Sequence, residues 1–286
     1  MRQLELSILA AGFAVLLASP SIAAPAAAGH DHADRMADEH KDDQPVPSPA
    51  SAVEPRQAVK TEEVTYTTLE GKAVKGYLAR PEKAAGPLPG LLVLHEWWGL
   101  NDNVKAMTRR LAGEGYQALA LDLYEGKVAG KPDEAKALME DSLTRIPRLM
   151  NNIRGGYSYV GENLKAPKVG VIGWCYGGGW SLETAMNIPG IDAAVMYYGR
   201  VVLDPEELKP IEAPLLGLFG EADKSLPLES IKAFEAELKG LGKDATIVIY
   251  PGADHAFANP SGGNYDPVAA EDSWKRTTGH FAQLLK

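Results

Sequence analysis

From Val64 the chain alternates β-branched and aromatic residues with polar ones, VTYTTLEGKAVKGYLARP, on either side of Glu70-Gly71-Lys72. That period of two around a turn signal predicts an antiparallel hairpin. The pattern then changes to short runs that are apolar on both faces: GLLVLH (90–95), YQALALDL (116–123), KVGVIG (168–173), DAAVMYYG (192–199), APLLGLFG (213–220) and ATIVIY (245–250). Runs of this kind suit strands buried inside a parallel sheet. Between them lie helix-like stretches at 102–114, 132–163 with a break near Pro147, 176–187, 227–241 and 267–285. Strand and helix in alternation predict an α/β protein: a mostly parallel, doubly wound sheet of about eight strands with an N-terminal antiparallel hairpin. Ligands in such folds bind beyond the carboxyl ends of the strands, so chemistry is expected there.

The first residues break this pattern. Arg2 precedes an apolar run from Leu6 to Ala18, followed by Ser-Pro and small residues, the layout of a secretory signal peptide with cleavage expected after Ala23. The run is shorter than the roughly 20 residues that cross a bilayer, so a stable membrane anchor is not expected. Residues 24–58 hold five prolines, no Phe, Trp or Tyr, and seven acidic against three basic residues, which predicts a disordered His/Asp/Pro-rich linker. His30, His32 and His40 lie in it among acidic residues, and weak metal binding is the alternative use of that composition. The expected organisation is therefore a leader at 1–23, a linker at 24–58 and one α/β domain at 59–286, in a protein of the periplasm or the secreted fraction.

Composition narrows the function. The net charge of −9 and the lack of a Lys/Arg run argue against nucleic acid as a partner. One cysteine among 286 residues forbids an intrachain disulfide and any Cys-rich zinc site. A lone thiol in an exported protein must be deeply buried or chemically used.

Gly173-Trp174-Cys175-Tyr176-Gly177 falls between a strand and a helix and matches the G-x-nucleophile-x-G elbow with cysteine as nucleophile. The helix N-terminus there favours a thiolate, and the Tyr176 N–H faces a developing oxyanion. A base and an orienting carboxylate are expected later in the chain, at strand ends. Those positions hold His255, after 245–250, and Asp223, after 213–220, with Glu221 the alternative carboxylate. His255 then takes and returns the proton while Asp223 fixes its tautomer. After the strand at 90–95 comes His95-Glu96-Trp97-Trp98-Gly99. Its position assigns the second oxyanion donor to the Trp97 N–H and brings Glu96 near the thiol. Trp98, Tyr124, Phe257 and Asn259 are candidate pocket residues, with core packing the competing reading for the tryptophans. His95 reads as structural. HEWWG lacks the second histidine of HExxH, so neither a metal nor a cofactor is expected.

These motifs, HEWWG, DLYEG (Asp122 to Gly126), GWCYGGG, GEADKSLP and YPGADHAF, resemble in order and spacing the dienelactone hydrolase (carboxymethylenebutenolidase) family, over the whole stretch from about Val64 to Lys286. The resemblance implies an α/β-hydrolase fold and a Cys175–Asp223–His255 triad that opens an enol-lactone through a thioester. It also implies that Glu96 pairs with the resting thiol and moves when substrate arrives. Family members acting on dienelactone hold its carboxylate with arginines, one of them four residues after the histidine. Here that position is Asn259, and the second arginine would fall among Arg145, Arg148 and Arg154. Losing a bidentate clamp weakens selection for an anionic lactone and points to a neutral ester, lactone or thioester. The expected partner is this small molecule, met by a monomer. An exported binding protein that kept the fold without the chemistry is the alternative.

Overall fold

The hairpin forms as its pattern predicts. Strands β1 (Val59–Leu69) and β2 (Lys72–Pro81) pair antiparallel with Leu69 opposite Lys72, so only Glu70 and Gly71 form the turn. Both turn residues take positive φ, 49° and 79°, the twist that matches two paired strands and that glycine adopts at no steric cost. The computed structural model describes residues 34–38, 40, 41, 45, 52–84 and 86–286. The expected leader and much of the linker, including His30 and His32, lie outside the described residues.

Six further strands follow: β3 (Gly90–Leu94), β4 (Gln117–Leu121), β5 (Val169–Trp174), β6 (Ala193–Tyr197), β7 (Leu215–Gly220) and β8 (Ala245–Tyr250). The sheet runs β1-β2-β4-β3-β5-β6-β7-β8, antiparallel as far as β4 and parallel beyond it. Every residue of β3 to β7 is buried, because helices cover both faces. Those helices are α1 (Asp102–Gly113), α2 (Pro132–Leu143), α3 (Ile146–Ser158), α4 (Tyr176–Asn187), α5 (Pro205–Leu208), α6 (Leu228–Gly240) and α7 (Pro267–Leu285). The break expected near Pro147 falls at Thr144–Arg145, with Pro147 in the first turn of α3, where its missing N–H leaves nothing unsatisfied. α3 runs on into a π-helical turn, Tyr159–Asn163. No helix among the described residues is long and apolar enough to cross a membrane.

The strand order reverses at β3 and β5: the chain goes from β3 outward to β4 on one side, then returns to β5 on the other. The crevice that such a switch opens lies beyond Leu94 and Trp174. Glu96 and Cys175 are the chemistry-bearing residues at those two strand ends.

Ahead of the hairpin, residues 34–38 form one helical turn, and the His40 N–H donates to the Met36 carbonyl at 3.0 Å. Met36 and His40 are buried against the domain. A composition averaged over 24–58 reads as solvated chain, but one methionine and one imidazole suffice to seat a short piece of it.

Candidate active site

Cys175 follows the last residue of β5 and caps α4 with φ 54° and ψ −116°, a conformation that costs on the order of 1–3 kcal/mol and is held by its surroundings. Its N–H donates to the Tyr197 carbonyl at 3.0 Å, and its own carbonyl accepts from Gly179 at 3.1 Å. The flanking glycines make the turn sterically feasible. A Cβ on Gly173 would lie 2.0 Å from the Gly177 oxygen, and one on Gly177 would lie 2.3 Å from the Leu94 oxygen. The second contact matters most, because it lets the start of α4 press against the end of β3 and bring the thiol beside the Glu96–Trp97 loop.

Asp223 and His255 emerge from loops after β7 and β8. His255 Nδ1 is 2.6 Å from Asp223 Oδ2, and both side chains are fully buried. The other Asp223 oxygen accepts the Ser225 hydroxyl at 2.7 Å and the Leu226 N–H at 2.9 Å. Burial opposes the carboxylate, but the His255 charge and these hydrogen bonds hold it below the ordinary aspartate range. Burial likewise opposes a charged His255. Asp223, first, and the neighbouring Cys175 reverse that and raise the proton affinity of the imidazole well above the usual histidine value. Its Nε2, also buried, meets no hydrogen-bond partner of strict geometry among the described residues, and Cys175 is the group beside it that favours the proton. Glu221, the other candidate carboxylate, instead accepts the Gly252 N–H at 3.2 Å. Ser225 was not foreseen. It lies 3.1 Å from His255 Nδ1 and buttresses the Asp223 carboxylate, and its only trace in the sequence is its place two residues after Asp223.

Glu96 is buried and accepts from Asn259 Nδ2 at 2.8 Å, with the Tyr198 hydroxyl at 3.5 Å. Asn259, expected as a pocket residue, thus holds a carboxylate of the protein itself. The Trp97 N–H takes no acceptor among the described residues, and Tyr176, first residue of α4, carries one of the helix's unpaired N–H groups. Trp97 and Trp98 are buried, with ring centroids 5.0 Å apart. The Tyr124 ring lies 4.7 Å from His95 and 5.4 Å from Tyr176. Its hydroxyl is buried with no hydrogen-bond partner among the described residues. Burial, then Tyr176 and Cys175, keep that hydroxyl neutral and able to donate. Phe257 packs on Tyr250, Tyr198 and Tyr197, in the aromatic layer behind the site. His95 is structural, as expected. Its Nδ1 meets the Glu96 carbonyl at 2.6 Å, its Nε2 accepts the Leu123 N–H at 3.1 Å, and burial lowers its pKa to about 4.

The arginines considered for a carboxylate clamp are engaged elsewhere. Arg145 pairs with Glu125 and Asp141, Arg148 with Glu125 and Glu70, and Arg154 reaches the Asn187 carbonyl. Among the described residues no three His, Cys, Asp or Glu side chains gather in a way that could hold a metal ion.

Comparison with known proteins places the chain in a family. The sequence model of the Dienelactone hydrolase family matches residues 74–285. A protein of Saccharolobus solfataricus provisionally named carboxymethylenebutenolidase is 31% identical over 260 residues, covering 78% of this chain and 99% of its own. A crystal structure provisionally named dienelactone hydrolase, from Klebsiella pneumoniae, superposes with a TM-score of 0.72 at 30% identity, over 79% of this chain and 100% of that one. The dienelactone hydrolase-like promiscuous phosphotriesterase P91, from metagenomic libraries, superposes with a TM-score of 0.73 at 25% identity, over 80% and 100%.

Proposed function

The chain belongs to the dienelactone hydrolase family and is a carboxylic ester hydrolase, and from that premise we propose that it cleaves a neutral ester or lactone through Cys175 and a thioester intermediate. The observation that carries this reading is the buried 2.6 Å Asp223–His255 contact, with Cys175 on the strained elbow at the start of α4 beside the imidazole.

The Cys175 thiolate attacks the substrate carbonyl carbon. Negative charge moves to the carbonyl oxygen, where the N–H groups of Trp97 and Tyr176 receive it. The tetrahedral species collapses as His255 Nε2 gives its proton to the departing alkoxide, leaving a thioester on Cys175. Forming the thioester removes the negative charge beside the imidazole, so His255, having given up its proton, stays neutral. Its free Nε2 takes a proton from the water that attacks the thioester and releases the acid and the thiolate. Asp223 keeps the Nδ1–H in place throughout.

Glu96 has two positions: paired with a protonated Cys175 thiol, or turned to Asn259 and Tyr198, which leaves the thiolate to His255. The bond to Asn259 is what supports that second position. A neutral substrate follows from the engaged arginines and from Asn259 standing where a cation would have to stand. The leader at 1–23 directs the enzyme out of the cytoplasm, where it acts as a monomer. The test is chemical trapping: protein mixed with p-nitrophenyl acetate and quenched in acid carries an acetyl group on the Cys175 peptide. Turnover with the acetyl group on another residue, or with none, contradicts the thioester route.

A further inference from the structure

The triad is roofed by the chain's own N-terminal segment. His40 is buried, with its ring centroid 5.3 Å from that of His255 and 6.0 Å from that of Trp97, edge to face in both cases. Met36 is 1% exposed and joins the hydrophobic core, with Ala37 packed alongside. Asp34 reaches Lys136 of α2 at 2.5 Å. Beneath this roof Cys175, Asp223 and His255 are all buried.

The position of His40 has a chemical meaning. A reacting carbonyl must lie within about 3 Å of both the nucleophile and the oxyanion donors, in the space bounded by His255 on one side and Trp97 on the other. A ring packed edge to face on both the His255 imidazole and the Trp97 indole lies beside that space. We propose that the segment bearing Met36 and His40 is an intramolecular plug that must leave before substrate enters, which makes the full-length enzyme autoinhibited.

Burial and one ion pair are among the contacts that hold the plug. One methionine and one imidazole are buried, and the Asp34–Lys136 pair is solvent-exposed on the aspartate side and screened by salt. The histidines of residues 24–58, which the hydrolase reaction leaves unused, gain a role for at least one member. The plug also shields the thiol from oxidants while no substrate is present.

This inference rests on Cys175 being the nucleophile, so its test reads the thiol separately from turnover. The mature full-length chain, the double variant Met36→Glu/His40→Ala and the conservative variant Met36→Leu are each reacted with 4,4′-dithiodipyridine, and kcat/KM for p-nitrophenyl acetate is measured in parallel. The plug predicts slow labelling in wild type and Met36→Leu, labelling at least tenfold faster in the double variant, and a matching rise in kcat/KM. Equal labelling rates in wild type and double variant, with both folded by circular dichroism, overturn it. Faster labelling with no turnover in any protein upholds the plug and overturns the hydrolase reading instead.

Discussion

Asp223 Oδ2 lies 2.6 Å from His255 Nδ1, with neither side chain exposed to solvent. Fixed this way, the imidazole can present only Nε2 to the thiol. Replacing Asp223 by Asn keeps the shape but offers an amide that favours the wrong tautomer, a change that costs roughly ten-thousandfold in kcat where the same triad logic has been tested. Asp223→Asn is expected to fold, to label normally at Cys175 once unplugged, and to lose about that much turnover. A loss below tenfold means that another group orients the histidine.

The cationic state of His255 sets the pH profile. Its proton affinity is raised well above the usual value by Asp223 and Cys175 against the cost of burial. A raised value keeps the charged form, and the charge pairing it supports, through neutral pH, and loses it only as pH climbs past the raised value. The alkaline limb of kcat/KM, which reports the free enzyme, is therefore expected far above 6.5. A limb near 6.5 contradicts the ion pair.

His95 predicts an acid sensitivity that is separate from catalysis. Its pKa falls to about 4 in the folded protein because burial disfavours the charge, against about 6.5 unfolded. Below 6.5 the unfolded chain takes up a proton that the native state refuses, so stability present above 6.5 drains away as pH falls toward 4. The loss is at most about 3 kcal/mol. Urea unfolding of wild type and His95→Asn at pH 7 and pH 4.5 isolates it: wild type loses about 2–3 kcal/mol more than the variant over that interval. Parallel losses contradict the assignment.

Gly177 has no room for a side chain, since a Cβ there meets the Leu94 oxygen at 2.3 Å, which is backbone and cannot turn aside. Gly177→Ala is expected to destabilise by about 3 kcal/mol or more and to push the elbow away from the oxyanion loop. A variant that melts and turns over like wild type means that the elbow is looser than its geometry.

Asn259 stands at the position to which the sequence resemblance assigns an anion-binding arginine, and here it holds Glu96. Asn259→Arg is expected to raise kcat/KM for a carboxylate-bearing lactone relative to p-nitrophenyl acetate by about tenfold, one charge-assisted hydrogen bond's worth of selectivity. An unchanged ratio assigns the selectivity elsewhere.

Much of this was legible before any coordinates. The five strands buried on both faces announce themselves as short apolar runs because a polar side chain there needs buried partners, as Gln117 finds in the Leu88 and Leu164 carbonyls, and the elbow is legible because its glycines answer to sterics. Asp223 and His255 could be found from where strands end. Ser225 could not, since a serine two residues after an aspartate is also ordinary loop chemistry. Phe257 shows the other limit: a loop aromatic next to the histidine reads as pocket, but its neighbours Tyr197 and Tyr198 at the end of β6 and Tyr250 at the end of β8 are distant in sequence. The seat of Met36 and His40 was hidden for a similar reason, because composition over 24–58 averages away two buried side chains.

The central claim is that Cys175, served by His255, performs the hydrolysis. Its most direct test is turnover of p-nitrophenyl acetate and a neutral enol-lactone by the mature protein, Cys175→Ala and His255→Ala, each with and without chelator. Cleavage by wild type alone, unchanged by chelator and reduced by about ten-thousandfold or more in each variant, is the predicted result. Substantial cleavage by Cys175→Ala, or loss of wild-type activity to the chelator, would contradict it.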